Sequence, residues 1–405
     1  MGELLDRWLD AKGKSRRSTT VNGYGSHVRV HLRPALASYR ADRLSLDAVQ
    51  AMFDGILDQA DVIRAENAAR RAQVARCRWT KPGRPPAAER AKLAAERERL
   101  AAMPAFRKVP SLASVHAIRR SLRAAINWGM RRPEWGITYN PAEHVDLTPY
   151  RRPRGLLWTE ARVKRWRETG EIPSRVMVWS PAQLGAFLDA AEGSRLYAAF
   201  HLIGYHGLRR GEAVGQDWAN LDSENHRLAI AREIVQDGWT PVETETKTED
   251  SAAAIRVDAG TVSVLLAHQV RQVAERAEWD AHAKEARARG EEAVPWVDTG
   301  KMFTKPDGTW LHPDDLSTEF RRIRDAADLP PINLRDLRHG AAGLVKASGG
   351  DLEDAKRLLR HSTITLTSDT YMVLFEEAEE EAAAARAAVV PRARIAETTS
   401  VGAEE

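Results

Sequence analysis

Among 405 residues there is one cysteine, Cys77. A lone cysteine forms no intramolecular disulfide, and no Cys/His cluster has zinc spacing, so a reducing, intracellular setting is expected. The opening MGELLDRWLDAKGKSRRS has no basic region followed by an apolar run and does not read as a signal peptide. No stretch approaches the roughly 20 apolar residues of a membrane-spanning helix. There is no carboxylate cluster for a divalent metal, no phosphate loop of the GxxxxGK(S/T) kind and no repeat of solenoid period. These absences lead us to expect a soluble cytoplasmic protein with no cofactor, no bound metal and no membrane contact.

What the chain does have is a charge split. The net charge of +4 hides it. Residues 1–175 hold 35 Lys and Arg against 18 Asp and Glu, and residues 176–405 hold 26 against 39. A basic half beside an acidic half points to a polyanionic partner, most often nucleic acid. The length suggests two or three domains.

Residues 1–55 read as two or three helices, with Ser18 or Thr19 as the cap of the one carrying Tyr24 and Ser45 as the cap of the one carrying Val49. Residues 57–103 are rich in Ala, Arg and Glu on both sides of WTKPGRPP. Two readings stay open there: a charged helical hairpin inserted into the domain, or a solvated segment. From Ser111 to Met130, Leu112, Val115, Ile118, Leu122, Ala125, Ile126 and Trp128 make an apolar stripe. Arg119, Arg120 and Arg123 lie off the stripe and Arg131 and Arg132 just beyond it, so these are candidate DNA-backbone contacts. Residues 151–178, with Arg151, Arg152 and Arg154 and a basic helix-like TEARVKRWRETG, read as a basic interdomain linker. Beyond it, Ser180–Pro181 should start a helix, and RLAIAREIVQ and GWTPVETETKTEDSAAAIRVD should close a small antiparallel sheet. From Ala259 the pattern is helical again, interrupted by a loop around Trp296–His312, and 376–405 reads as a C-terminal helix and tail.

Four separated fragments carry the chemistry: HGLRRGEAV (206–214), TETKTEDS around Lys247, LRDLRHGAAGL (334–344) and LLRHSTITLTSDTY (358–371). Together they supply isolated arginines, a lysine, histidines and a tyrosine. That inventory suits metal-free phosphoryl transfer on a diester. Arginine forks bind the non-bridging oxygens bidentately and meet the charge that grows in the transition state. A tyrosine hydroxyl attacks phosphorus once nearby cations stabilise its phenolate.

In these fragments the chain resembles the tyrosine recombinases, the integrases of phages and integrative elements, with wording closest to actinobacterial integrases. That pattern has GLRxGE, a β-hairpin lysine, HxxRH, then LGH with a tyrosine nine or ten residues on. The resemblance covers most of 179–375 and, weakly, 1–150. It implies a mainly α fold with a small antiparallel β-sheet: a helical (SAM-like) core-binding domain over 1–150 and a mixed α/β catalytic domain over 179–375, forming a C-shaped clamp on double-stranded DNA. By resemblance, Arg209, Arg338 and His361 hold the phosphate, Glu212 and His339 support them, Lys247 protonates the departing 5′-oxygen, and Tyr371 is the nucleophile. The product is a 3′-phosphotyrosyl link, made without metal or ATP. The family also implies a homotetramer on two duplexes and an excisionase-type directionality factor.

Two positions depart from the pattern. Arg335 stands where the family usually has the first His, and an arginine cannot take the tyrosine proton. Either Arg335 binds phosphate and His339, His361 or water is the base, or activity is reduced. Arg360 replaces the usual Gly before His361, where it costs geometry or adds a DNA contact. An arm-binding domain before the core-binding one is expected to be absent or truncated. The rival readings are a recombinase that has lost catalysis and serves as a DNA-binding protein, and a type IB topoisomerase-like enzyme.

Overall fold

Apolar residues gather into two main cores, one drawn from Met1 to Leu147 and one from Leu156 to Leu344. They belong to two units, Met1–Arg151 and Arg152–Glu405. The computed structural model describes residues 1–80, 83–151, 153–237, 240–245 and 253–360.

The first unit is helical: α1 (Gly2–Gly13), α2 (Ser18–His27), a π-helical turn at Val28–Leu32 leading into α3 (Arg33–Leu36), α4 (Leu46–Arg76), α5 (Ala87–Ala102) and α6 (Leu112–Met130). Helix α4 starts where the Ser45 side chain accepts the Ala48 N–H at 3.2 Å, and α6 where Ser111 accepts that of Ser114 at 3.2 Å. Each cap satisfies a donor the helix leaves orphaned, worth about 1 kcal/mol. Helix α2 departs from expectation. It begins at Ser18 behind Arg17 with no side-chain cap bond, so neither Ser18 nor Thr19 caps it. The middle of the α6 stripe, Val115 to Ile126, is buried as its spacing predicts, while Leu112 at the start of the helix is exposed and Trp128 is half-buried. Helix α6 packs on α1, whose Leu4, Leu5 and Trp8 are fully buried. Gly129 permits that approach, because a Cβ there would lie 2.5 Å from the Leu4 side chain.

The inserted segment is a helical hairpin. Past Ile56, α4 leaves the unit's core and forms a seam of its own with α5, burying Ala60, Ile63, Asn67, Gln73 and Leu93. Gln73 donates to the Glu96 carbonyl at 2.9 Å, and Arg70 donates to the carbonyls of Leu100, Met103 and Pro104.

In the second unit, the stretch expected as a linker holds the helix that its basic segment suggests and, beyond that expectation, two paired strands. Strand β1 (Gly155–Leu157) pairs in parallel with β2 (Val176–Val178), and α7 (Glu160–Thr169) lies between them in sequence. The reason is aromatic anchoring. Trp158 and Trp179 are buried, and their indole N–H groups donate to the carbonyls of Pro331 and Pro330 at 3.2 and 2.8 Å. Helix α8 (Pro181–Ala191) opens on a capping box between Ser180 and Gln183, and α9 (Tyr197–His206) and α10 (Arg210–Val214) follow.

The strand-like run RLAIAREIVQ splits at Ala231. Strand β4 (Arg227–Ile230) joins an antiparallel sheet between β3 (Leu221–Asp222) and β7 (Ala253–Arg256). Strand β5 (Arg232–Asp237) forms a separate antiparallel hairpin with β6 (Thr240–Glu245). Helices α11 (Ala259–Ala288), α12 (Pro313–Ala326), α13 (Leu334–Ala347) and α14 (Leu352–Leu359) complete the described chain. Phe187, Phe200, Phe320 and Trp179 fill the core, with ring centroids 4.9–6.1 Å apart. Within the loop expected at 296–312, Met302 and Phe303 are fully buried, which ties its middle to that core.

Candidate active site

Helix α9 ends at His206 because Gly207 turns into the left-handed region, φ +63°. A Cβ at 207 would also lie 2.8 Å from the Leu359 side chain, so only glycine meets both demands. The turn delivers Arg209 to the N-cap of α10, where its backbone N–H donates to Glu212 Oε2 at 2.8 Å.

Glu212 is the hub. It is 1% exposed, and three guanidinium groups converge on it. Arg209 pairs directly, Arg360 lies at 2.6 Å and Arg338 at 3.9 Å. Burial alone would raise the Glu212 pKa, but Arg360, Arg209, Arg338 and the Arg209 N–H outweigh it and hold the carboxyl below its ordinary value. Arg338 is buried and also donates to the carbonyls of Gly207 and Leu359, joining the end of α9 to the end of α14. The three side chains differ in access: 38% exposed for Arg209, 7% for Arg338 and 3% for Arg360. Arg209 therefore reaches solvent without rearrangement.

Arg360 is not the surface DNA contact expected of it. It ends α14 in the left-handed conformation, φ 51°, the geometry that glycine would supply there. Its side chain turns inward to Glu212, and its Nε is buried without a hydrogen-bond partner among the described residues. Burial lowers the guanidinium's pKa against the opposing pull of Glu212.

Arg335 sits exposed in the first turn of α13, with no side-chain ion pair or hydrogen bond among the described residues. Arg338 and His339, three and four positions on, are its neighbours on the helix surface. His339 has its Nε2 3.9 Å from Asp336, a carboxyl whose pKa burial raises. Lys247, His361 and Tyr371, and Arg152, lie outside the described residues.

In the first unit, Arg119 spends its guanidinium on the carbonyls of Ala142 and Glu143 at 2.8 and 2.7 Å, and Arg123 pairs with Glu143 at 2.8 Å. Arg119 is therefore held by internal carbonyls, while Arg123 keeps an exposed side chain within a surface ion pair. Arg132 stacks over the Trp128 ring at 3.8 Å. Arg120, Arg131, Arg151 and Arg154 are exposed.

Two residues were given no role by the sequence: Lys301, which lies in no motif, and His206, which opens the HGLRRGEAV fragment. Lys301 is buried, donates to the Gly215 carbonyl at 3.1 Å, and bridges Asp217 at 2.8 Å to Glu243 of β6. It fastens the β5–β6 hairpin to the turn after α10. Next to Gly207, His206 donates to or accepts from Thr261 at 2.9 Å and lies 3.4 Å from Asp258. Burial, opposed by Asp258 and helped by His201 and Arg360, pushes its pKa down to about 4, so the ring is neutral at pH 7.

Residues 179–377 match the family model described as the phage integrase family. Among curated proteins, the chain is 25% identical over 210 residues to a tyrosine recombinase XerC-like protein of Caldanaerobacter subterraneus subsp. tengcongensis, covering 50% of this chain and 51% of that one. It is 26% identical over 211 residues to an integrase of Streptomyces ambofaciens, covering 49% of each. The chain thus spans about half the length of the curated relatives it matches. Among solved structures, the Tn1549 transposon integrase in complex with transposon right end DNA superposes with a TM-score of 0.57 at 17% identity, covering 94% of this chain and 99% of that one. A lambda integrase dimer bound to a COC′ core site gives 0.51 at 16%, covering 91% and 94%. At such identities the likeness is one of fold.

Proposed function

Because residues 179–377 give this chain a phage integrase family domain of the tyrosine recombinase type, we propose that it is a site-specific DNA recombinase that integrates or excises a mobile element or prophage. The observation that carries this reading is the convergence of Arg209 and Arg338 on buried Glu212, with His361 next in sequence to Arg360 and Tyr371 ten residues further on. Two guanidinium groups held by one carboxylate are set in place before substrate arrives. The Arg209 N–H groups then need no reorganisation as charge grows on a phosphate, whereas Arg338, buried and bonded to the Gly207 and Leu359 carbonyls, must turn to reach one.

In the proposed reaction, Tyr371 Oη forms a bond to phosphorus as the P–O5′ bond breaks. The tyrosine proton passes to His361, His339 or water, and Lys247 gives a proton to the leaving O5′, a role worth about 10²–10⁴-fold. The 3′-phosphotyrosyl ester conserves the bond energy, so a 5′-hydroxyl of the partner strand reverses the step without metal or ATP. Duplex DNA is the substrate, and four copies hold two duplexes. A lambda integrase tetramer bound to a Holliday junction, similar to this chain with a TM-score of 0.50, supports that assembly. An excisionase-type factor sets direction, and the reaction takes place in the cytoplasm of a bacterial cell.

The test is a nicked suicide half-site incubated with the protein. A covalent protein–DNA adduct is expected from the wild type and none from Tyr371→Phe. No adduct from the wild type would leave a DNA-binding protein without catalysis. Relaxation of plasmid lacking any specific site would favour the topoisomerase-like reading.

A further inference from the structure

The α4–α5 hairpin plays no part in that reaction, yet its charge is sorted along its length. Over 57–103 there are 11 Lys and Arg and six Asp and Glu. In the outer part, residues 74–95, the count is six against one, and in the remainder it is five against five. All of the net charge is therefore at the tip.

Pairing thins towards the tip, although Arg71 and Arg97 nearer the base are also exposed and make no side-chain hydrogen bond or ion pair among the described residues. Near the base, Arg64 pairs with Asp61, Arg99 with Glu96 at 2.7 Å and Arg107 with Glu66 at 2.5 Å, while Arg70 is spent on three carbonyls. At the tip, Arg76, Arg78, Arg84 and Arg90 are exposed and make no side-chain hydrogen bond or ion pair among the described residues. The one tip acid, Glu89, is already paired with Lys92 at 2.9 Å. On either side of residues 81–82, the Trp79 indole N–H donates to the Gly83 carbonyl at 2.9 Å.

Reach completes the picture. From Leu57 to Arg76, at 1.5 Å per residue, α4 carries the tip about 30 Å beyond the core, close to the length of about nine base pairs of duplex. We propose that the hairpin is an outrigger whose tip arginines, Arg76, Arg78, Arg84 and Arg90, grip the phosphates of duplex DNA away from the segment held by the rest of the protein. The proposal rests on the recombinase reading for the nature of the polyanion. Guanidinium forks suit phosphate oxygens, and a bare cluster of them on a rigid arm supplies affinity without reading sequence.

The test uses the full chain with Arg76, Arg78, Arg84 and Arg90 all changed to Gln, beside a control with Arg64→Gln and Arg99→Gln. Circular dichroism should show unchanged helix in both, since the sites are exposed and Arg and Gln have similar helix propensity. Binding to a labelled random-sequence duplex of about 40 base pairs is then measured against salt. The slope should flatten by about 0.9 for each phosphate no longer neutralised, up to about 3.6 for four. Affinity at low salt should fall at least about tenfold, and the control should match wild type. An unchanged slope, or an equal loss in the control, overturns the proposal. So does a loss confined to single-stranded RNA, or a change only in oligomeric state by light scattering, which would assign the tip to RNA or to a protein neighbour. Adduct formation on the nicked half-site is read on the same preparations. A chain that binds through the tip but makes no adduct fails the recombinase reading alone, and one that makes adduct with an unchanged slope fails this one alone.

Discussion

The arginines of the two units face opposite conditions. In the first unit Arg119, Arg123 and Arg132 are each held by a nearby carbonyl, carboxylate or ring at the surface, one partner set per arginine. In the second, Arg209, Arg338 and Arg360 share one buried carboxylate. The first half of the chain is rich in positive charge and the second is acidic, yet it is the second that concentrates cations in a low-dielectric setting. There each charge interaction counts for more, and each missing partner costs more. Charge along a sequence marks where a polyanion is gripped; burial marks where it is acted on.

Removing the shared carboxylate is the most direct way to break that contrast. Glu212→Gln keeps the shape but leaves three guanidinium groups without a counter-charge, two of them buried. We expect a loss of about 3–5 kcal/mol in denaturant unfolding, together with loss of adduct formation on the half-site. Glu143→Gln, the same change at the exposed partner of Arg123, should leave the unfolding midpoint where it was. Equal effects at the two sites would show that the cluster around Glu212 is no more than another surface ion pair.

Much of this was legible in the sequence, and the part that was not has a common cause. Ser45, Ser111 and Ser180 mark helix starts because a cap is a local bond, three residues long. The α6 stripe reads correctly from Val115 to Ile126 because a 3.6-residue period is local too, and fails at Leu112, where the helix end is exposed. Arg209, Glu212 and Arg338 were found through fixed wording, GLRRGE and LRDLRHG. The inward turn of Arg360 was not, since its contact with Glu212 spans 148 residues and replaces a glycine whose backbone angle it keeps. Lys301 reaches Glu243 across 58 residues from an unmarked TGKMF. Residues 151–178 look like a linker by composition, with arginines and prolines in plain view. Trp158 and Trp179 decide otherwise, through prolines more than 150 residues away.

A smaller difference between the units should appear in acid. His206, beside Arg360 and largely desolvated, has its pKa lowered from 6.5 to about 4. Above pH 6.5 the ring is neutral in both folded and unfolded chains and contributes no pH dependence. As pH falls from 6.5 towards 4, the unfolded chain takes up a proton that the folded chain refuses, so stability drops, by about 3 kcal/mol at most. His206→Asn should be less stable at pH 7 but lose less between pH 6.5 and 4. His27 of the first unit, half-buried against Ser121 and lowered by burial, His31 and Arg120, should give a shallower change on the same substitution. Parallel pH profiles for wild type and His206→Asn would refute the neutral, buried state.

The least disruptive change tests the most exposed member of the group. Arg335 lies one turn before Arg338 on α13 but shares none of its burial and has no described partner, so Arg335→His should shift stability by about 0.5 kcal/mol or less. Its consequence is chemical. A guanidinium holds its protons at any working pH, whereas an imidazole in that turn can accept one. If the tyrosine proton leaves through this position, adduct formation by Arg335→His should equal or exceed wild type and acquire a dependence on pH near 6.5. If Arg335 instead grips the phosphate directly, the same substitution should cut adduct formation steeply at every pH, and an arginine outside the Glu212 cluster would join those inside it as part of the site.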